Sequence, residues 1–286
     1  MAYSKTPRFG INMFPTDKAI QPVELARAVE ERGFDSLFFP EHTHIPVSRD
    51  TPFPQGGDLP EMYWRSHDPF VALGACAAVT STLRLGTGIC LVIERDPIQL
   101  AKEIASLDMI SNGRVILGIG AGWNREEMEN HGSDYTKRWK ILREKILAMK
   151  EIWNNDEAEY HGDYVDFDPI WSWPKPVQAG GPPILMGAQS KWSFDRIAEY
   201  CDGWMPLGGL GSSSMEQLKT ALEARGRKVE DCNLTLFGAA ADVEQMRFRI
   251  DQGCDELIFG LPPANADTVL PLLDKLAEMV KTVKAG

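Results

Sequence analysis

Short apolar runs and amphipathic segments alternate along the whole chain. Runs of mostly apolar residues, such as Ser36–Pro40, are typical of strands buried in a parallel sheet. The segments between them carry apolar residues at helical spacing, as in Leu100, Ile104 and Leu107. The pattern predicts eight strands, at Arg8–Met13, Ser36–Pro40, Leu83–Val92, Arg114–Gly120, Pro183–Ala188, Trp204–Leu207, Leu234–Ala239 and Glu256–Leu261.

A helix is expected after each of these strands. Asp68-Pro69 and Asp96-Pro97 are start signals, because Asp caps free amides and Pro fits the first helical position. Gly33 and Asn112-Gly113 are stop signals. The predicted helices are Pro22–Arg32, Asp68–Ser81, one from Asp96-Pro97 to Asn112-Gly113, Arg138–Trp153, Trp192–Cys201, Met215–Arg225, Val243–Gln252 and Ala266–Val283.

This alternation predicts an α/β fold with a parallel sheet covered by helices. At 286 residues, a single (β/α)8 TIM barrel domain over residues 1–286 is favoured over an open sheet with a small second domain. Two connections are much longer than ordinary turns: Thr43–His67 after strand two, and Asn154–Pro182 before strand five. The first insertion emerges at the C-terminal end of the barrel, where barrel sites lie, so we expect it to cover a pocket.

Charge and composition exclude several functional classes. The chain has 30 Lys and Arg against 41 Asp and Glu, and its net charge of -11 argues against nucleic-acid or anionic-membrane binding. No apolar window is long enough for a membrane span, and the N-terminus has no apolar signal segment. The 5 cysteines form no Cys-x-x-Cys pair, which is typical of reduced thiols in a cytoplasmic protein.

Candidate acid–base chemistry lies where strand two ends. Glu41 and His42 stand there beside the long first insertion, which suits a proton-transfer pair. The alternative is that Glu41 caps a loop and His42 packs. His42 and His44 also have the spacing of a metal hydrolase, but further ligands at strand ends are lacking, so no metal is expected. The remaining histidines are His67, His131 and His161.

Glycines mark two strands and one turn as places where a ligand could approach the backbone. Gly88 weakens strand three, and Gly118, Gly120 and Gly122 alternate along strand four, leaving room for something flat unless they serve tight barrel packing. The turn from strand five into its helix could hold a phosphate on free amides and the Ser190 hydroxyl.

Four sequence blocks resemble the bacterial luciferase-like superfamily, and more narrowly its branch that uses the deazaflavin coenzyme F420. They are Gly33–His42, Leu83–Val92, Asp96–Glu127 and Pro183–Ser190. The resemblance implies a (β/α)8 barrel with a flavin-like ring at its C-terminal mouth. It implies an oxidoreductase that moves a hydride between this ring and a small organic substrate, and a homodimer, the common state in the family.

The resemblance also assigns site residues. A non-proline cis peptide between Gly88 and Ile89 is implied after strand three, with Ile89 against the ring. His42 would exchange the substrate proton, and Glu41 would set its orientation. Further cofactor contacts are implied for Ala121, Gly122, Gly187, Ala188, Gln189 and Ser190, the last four at the phosphate.

This chain departs from the superfamily at one position that affects the expected substrate. Sugar-phosphate dehydrogenases of the superfamily carry a carboxylate where this chain has Trp123, followed by Asn124. A larger or more apolar substrate is therefore expected, in contact with Trp123, Asn124 and Trp64. Basic residues near the mouth, which could meet a polyanionic cofactor or simply be solvated, are Arg49, Arg65, Lys137, Arg138 and Lys140.

Two alternatives to F420-dependent hydride transfer stay open. The same fold could use reduced FMN and oxygen, as the monooxygenase branch of the superfamily does. The chain could also store or sense the cofactor without turnover, which needs Gly88, Ile89 and Ser190 but not His42.

Overall fold

The computed structural model describes residues 6–285. The strands it forms are β1 (Arg8–Asn12), β2 (Ser36–Phe39), β3 (Arg84–Cys90), β4 (Val115–Ile119), β5 (Ala158–His161), β6 (Asp166–Ile170), β7 (Ile184–Met186), β8 (Gly203–Trp204), β9 (Asn233–Phe237) and β10 (Glu256–Gly260). The α-helices are α1 (Pro22–Glu31), α2 (Met62–Arg65), α3 (Pro69–Ala77), α4 (Pro97–Ser111), α5 (Arg125–Asn130), α6 (Arg138–Asn154), α7 (Ser193–Tyr200), α8 (Ser212–Glu223), α9 (Val243–Asp251) and α10 (Ala266–Ala285).

Eight of these strands close into a parallel barrel, in the order β1-β10-β9-β8-β7-β4-β3-β2. β1 closes the ring by pairing with both β2 and β10. The strands are buried on both faces, which explains their nearly continuous apolar sequences. The predicted (β/α)8 barrel is therefore confirmed.

Apolar side chains fill two layers. A small cluster inside the barrel contains Phe38, Ile116, Leu185, Met205, Phe237 and Ile258, with Ile89 packed against it from the C-terminal side. A larger layer lies between the strands and the surrounding helices. This second layer explains the apolar stripe of α4, where Leu100, Ile104 and Leu107 are all buried.

Both insertions lie where the sequence places them. The first contains α2 and is held against the loop after β1, since His67 N donates to Pro15 O at 2.8 Å and Arg65 pairs with Asp17. The second forms the antiparallel hairpin of β5 and β6 and leads into the N-terminal end of β7. Glu144 of α6 accepts hydrogen bonds from the hairpin amides of Tyr164 (2.7 Å) and Val165 (3.0 Å).

Several short elements differ from the prediction. β8 has only 2 residues, because Pro206 has no amide hydrogen to continue the ladder, which resumes as a single bridge between Leu207 and Phe237. The short helices α2 and α5 and the hairpin of β5 and β6 were not predicted as elements. None of the helices in residues 6–285 combines the length and apolar character that a membrane span requires.

Candidate active site

A cavity of about 400 Å³ opens at the C-terminal mouth of the barrel, inside the range usual for small-molecule sites. Backbone and small side chains form one part of its surface, at Gly88, Gly120, Ala121, Gly122, Gly187 and Ala188. Aromatic side chains form another part, from Phe14, Tyr63, Trp123, Trp139 and Phe237. The polar lining residues are Asn12, Glu41 and His42, and the aliphatic ones include Ile89, Leu91 and Leu207.

The end of β3 carries the backbone feature that the resemblance implies. The peptide bond between Gly88 and Ile89 is cis, and the register with β4 shifts between Thr87 and Cys90. Ile89 is half-buried and lines the cavity. The structure thus places Gly88 and Ile89 together at the mouth.

The strand-four glycines make room for neighbouring protein atoms. A Cβ at Gly118 would stand 2.1 Å from the Thr87 carbonyl oxygen, and one at Gly120 would stand 2.3 Å from Ile89 Cδ1. A Cβ at Gly187 of the adjacent strand end would stand 2.5 Å from Ile89 Cγ2. The Ile89 side chain therefore occupies the space beside Gly120 and Gly187, and Gly118 packs against the Thr87 carbonyl, which favours the alternative of tight barrel packing along strand four.

His42 forms a buried pair with a carboxylate from a distant part of the chain. Its Nδ1 lies 2.7 Å from Oε2 of Glu127, and the two side chains are 7% and 1% exposed. The carboxylate can only accept this hydrogen bond, so Nδ1 carries a proton and Nε2 is the nitrogen left to exchange one. His42 also contacts Tyr63 and Trp123, with ring centroids 5.2 and 5.9 Å away.

Helix α5 presents Glu127 to His42. The Asn124 side chain caps this helix by accepting a hydrogen bond from the Glu127 amide at 3.3 Å. Asn124 is buried under the cavity wall, so the structure does not bring it to the cavity as a substrate contact. The sequence contained a signal for α5, since Asn124 followed three residues later by a glutamate has the spacing of a helix start.

Glu41 has other partners than expected. Its Oε2 accepts from the Leu91 amide and its Oε1 from Arg95 Nε, both at 2.6 Å. Arg95 in turn pairs with Glu103 at 3.0 Å. The expectation that Glu41 orients His42 is therefore wrong: Glu127 does so, and Glu41 fixes the backbone that follows the Gly88–Ile89 bond.

A second buried carboxyl group lies behind this pair. Burial, together with the charges of Glu127 and Glu41, raises the pKa of Glu94 to about 9. Neither oxygen of Glu94 has a hydrogen-bond partner among the described residues, and His131 Nε2 lies 3.7 Å away. Glu94 is therefore protonated near neutral pH, which keeps a third negative charge away from Glu41 and Glu127.

The expected phosphate turn adjoins the cavity. Gly187 and Ala188 line it, and Ser190 follows at the surface with its Oγ 2.9 Å from Ser193 Oγ at the first position of α7. Gln189 is exposed, and its Nε2 lies 3.5 Å from the Gly209 carbonyl oxygen. Ala121 and Gly122 also line the cavity, as expected.

Tyr63, and not the expected Trp64, belongs to the aromatic part of the cavity surface. Tyr63 lines the cavity and stacks edge-on against Phe53 and Trp123 at 5.3 and 6.3 Å, and burial raises the pKa of its hydroxyl. Trp64 is 50% exposed and stands outside this lining. Trp123 takes the expected position. Asn12 is a lining residue that sequence reasoning missed; its buried Oδ1 has no partner among the described residues.

Among residues 6–285, no group of three or more His, Cys, Asp or Glu side chains is arranged to hold a metal ion.

The chain is similar to known proteins over nearly its whole length. An uncharacterized protein of Mycobacterium tuberculosis (strain ATCC 25618 / H37Rv), Rv0953c, is 40% identical over 278 residues, which cover 94% of this chain and 97% of that protein. The coenzyme F420 dependent tetrahydromethanopterin reductase from Methanopyrus kandleri superposes with a TM-score of 0.76 at 17% identity, covering 96% of this chain and 99% of that one.

The monooxygenase RslO1 from Streptomyces bottropensis superposes with a TM-score of 0.75 at 22% identity, covering 96% of this chain and 99% of that one. Both structural likenesses concern the fold. The family model that matches residues 13–245 is the one described as luciferase-like monooxygenase. The chain therefore belongs to the luciferase-like monooxygenase family, whose members are oxidoreductases.

Proposed function

We propose that this protein is an oxidoreductase that uses coenzyme F420 to transfer a hydride to or from a small, largely apolar organic substrate. The observation that carries the proposal is the buried His42–Glu127 pair, which faces the mouth cavity beside Ile89. A proton-exchanging imidazole next to a cavity is what an alcohol, an imine or an activated double bond needs when a hydride is moved.

The residues of the cavity fit a flat ring with a phosphate-bearing tail. Around Ile89 the cavity is lined by backbone and small side chains, at Gly88, Gly120, Ala121 and Gly187. The unpartnered Oδ1 of Asn12 would accept a hydrogen bond from a ligand donor, and the exposed Ser190 hydroxyl, which lies 2.9 Å from Ser193 Oγ, would contact a phosphate. A bound deazaflavin supplies a carbon that accepts or releases a hydride and does not activate oxygen.

The chain's own residues supply the proton chemistry and the environment. Nε2 of His42 takes the substrate proton when the substrate is oxidised and returns it when the substrate is reduced. Glu127 stabilises the imidazolium form, as a buried carboxylate does for its histidine partner. Tyr63 and Trp123 keep water away from the reacting atoms and provide apolar surface for the substrate.

A second function of the same site is oxygenation with reduced FMN. The match to the luciferase-like monooxygenase model and the structural likeness to RslO1 favour it. Storage or sensing of the cofactor is less well supported, since it leaves a buried His–Glu pair in the mouth without a role.

Titration of the purified chain separates these functions. F420 and FMN are added separately, and binding is followed by the change in their absorbance and fluorescence. The proposal predicts saturable F420 binding and weak FMN binding. Tight FMN binding without F420 binding would instead support the oxygenase, and F420 binding that His42→Ala leaves unchanged, with no turnover of any substrate by wild type, would support storage.

A further inference from the structure

The lining of the mouth cavity contains hydrogen-bond acceptors and no basic side chain. Among the described residues that form it there is neither a lysine nor an arginine. Its polar side chains are the Glu41 carboxylate, the Asn12 amide and the His42 imidazole. Nε2 of His42 is an acceptor, because Nδ1 carries the proton that is directed at Glu127. A positively charged substrate therefore meets no opposing charge in the lining.

The wall behind the imidazole carries more negative than positive charge. Glu127 and Glu41 are both buried, with 1% of each side chain exposed. Arg95 pairs with Glu41 at 2.6 Å, and it also contacts Asp68 at 2.5 Å and Glu103 at 3.0 Å. One guanidinium is thus shared by three carboxylates, while Glu127 contacts only a histidine among the described residues.

The effect of these charges is visible at the buried Glu94. Burial is the largest cause of its raised pKa, which is about 9. The charges of Glu127 and Glu41 raise this pKa further, and each of them acts more strongly than Arg95 or Lys145, which lower it. The carboxylates therefore outweigh the cations in this region, and a cation in the adjacent cavity is attracted to it.

Three rings of the lining are inclined to one another beside the reacting nitrogen. The ring planes of Tyr63 and Trp123 differ by 82°, and the imidazole of His42 is inclined by 51° to the first and 67° to the second. The ring centroids lie between 5.2 and 6.3 Å apart. Inclined aromatic rings around a cavity are typical of sites that bind organic cations. Trp123 already attracts the guanidinium of Arg49, whose Cζ lies 5.9 Å from its centroid, although Arg49 does not line the cavity.

We propose that the substrate carries a cationic nitrogen on an apolar body, and that the substrate class is organic amines and their iminium ions. This inference rests on the proposed function, because amine and iminium differ by the hydride that is exchanged with F420. The alternatives are neutral alcohols and activated double bonds, to which the negative wall and the inclined rings give no advantage.

The proton chemistry of His42 suits this class. In oxidation, an N–H bond of the ammonium breaks and its proton goes to Nε2 of His42, which leaves a lone pair on the amine nitrogen. The neighbouring C–H bond then breaks with loss of a hydride, for which the proposed function names the acceptor, and the lone pair forms the C=N bond of the iminium ion. In reduction the same bonds change in reverse, and His42 returns the proton to the amine.

Binding of matched ligands to the full-length chain tests the inference without turnover. Benzylamine and cyclohexylamine are the cations, benzyl alcohol and cyclohexanol are neutral ligands of nearly the same shape, and benzoate and cyclohexanecarboxylate are the anions. Each is titrated calorimetrically at pH 7, with and without F420. The variants are Trp123→Leu and Trp123→Phe. The matched control is Trp64→Leu, since Trp64 is 50% exposed and stands outside the lining.

Wild type is expected to bind at least one amine about tenfold more tightly than the corresponding alcohol and carboxylate. Trp123→Leu should lose most of this preference, because it removes an aromatic ring. Trp123→Phe should keep a larger part of it, and Trp64→Leu should keep all of it. Circular dichroism verifies that each variant is folded.

Two results would overturn the inference. One is a wild type that binds the alcohols or the carboxylates as tightly as the amines, which needs no variant to be observed. The other is a folded Trp123→Leu variant that keeps the full preference. Failure of wild type to bind F420 would contradict the proposed function instead, and the titrations without F420 would still show whether the cavity selects a cation. The two failures are therefore distinguishable.

Discussion

Oε2 of Glu127 and Nδ1 of His42 lie 2.7 Å apart although 85 residues separate them in sequence. His42 follows β2, and Glu127 stands on the short helix after β4, so the barrel itself brings the two together. Both side chains are buried, and His42 lines the cavity. This pair defines the orientation and the tautomer of the imidazole, and the proposed proton transfer depends on it.

Replacing Glu127 by Gln should lower turnover by on the order of 10²-fold, within the contribution of positioned acid–base groups. The amide can no longer stabilise the imidazolium, so the pH profile of kcat should move as well. F420 affinity should be retained. Glu126→Gln is the control, because that neighbouring carboxylate accepts from Thr51, at 3.0 Å from Oγ1 and 3.3 Å from N, and has no contact with His42. Equal losses in the two variants would show that α5 is merely destabilised.

Gly120→Ala should weaken F420 binding by about tenfold, a typical effect of overpacking. The new Cβ would stand 2.3 Å from Ile89 Cδ1 and push that side chain into the cavity. Adding Ile89→Val, which removes Cδ1, should restore the affinity. Gly187→Ala should not be rescued in this way, because it collides with Cγ2, which Val retains.

The control for both glycine variants is Gly74→Ala on α3, where a Cβ meets nothing within 4 Å. This variant should bind F420 normally and be slightly more stable, as expected for Ala in place of Gly in a helix. If Ile89→Val rescued both cavity variants or neither of them, the described packing of Ile89 would be wrong. Fluorescence titration measures all of these affinities.

Tyr63→Ala should raise the KM for the substrate by about tenfold, while Trp64→Ala should leave it unchanged. The two aromatic residues are neighbours on α2, but only Tyr63 lines the cavity and Trp64 is 50% exposed. Steady-state kinetics at saturating F420 make the comparison. A larger effect of Trp64→Ala would place the substrate on the outer face of the insertion.

Glu94→Gln should change how stability depends on pH. Burial and the charges of Glu127 and Glu41 raise the pKa of Glu94 from 4.5 to about 9 in the folded chain. The folded chain therefore binds this proton more tightly than the unfolded chain. The stability that this group contributes is present below pH 4.5 and is lost as the pH rises toward about 9.

The neutral amide of Glu94→Gln removes this loss. Relative to wild type, the free energy of unfolding of the variant should increase between roughly pH 5 and pH 9, by at most about 1.4 kcal/mol per pH unit. Urea denaturation at several pH values measures this slope. The control is Glu129→Gln, at an exposed position of α5, whose free energy of unfolding should depend on pH as that of wild type does. The same pH dependence in all three proteins would contradict a neutral Glu94.

The fold was largely predictable because the hydrophobic periodicity and the helix start and stop signals of the sequence indicate the same elements. Asp68 and Asp96 cap α3 and α4 as their position before Pro indicates, and Asn112 ends α4 in a left-handed conformation with φ 58°. The errors are local. β8 ends two residues before Pro206, and α5, only 6 residues long, has a start signal at Asn124 but too little apolar periodicity to be recognised from it.

The site was only partly predictable. The positions of Gly88, Ile89 and His42 followed from strand ends and from the family resemblance. The partner of His42 did not, because Glu127 reaches it only through the closed barrel. Tyr63 and Trp64 could not be distinguished either, since adjacent residues of a short helix point in different directions and the sequence does not fix which one faces inward.

The position of F420 in a crystal of the full chain tests the central claim most directly. The account predicts the deazaflavin ring in contact with Ile89, the phosphate at the turn from Gly187 to Ser190, and Nε2 of His42 within about 4 Å of the space beside the ring where a substrate atom reacts. A ring bound outside the mouth cavity would contradict this account. So would a ring that is separated from His42 by Trp123 and Phe237.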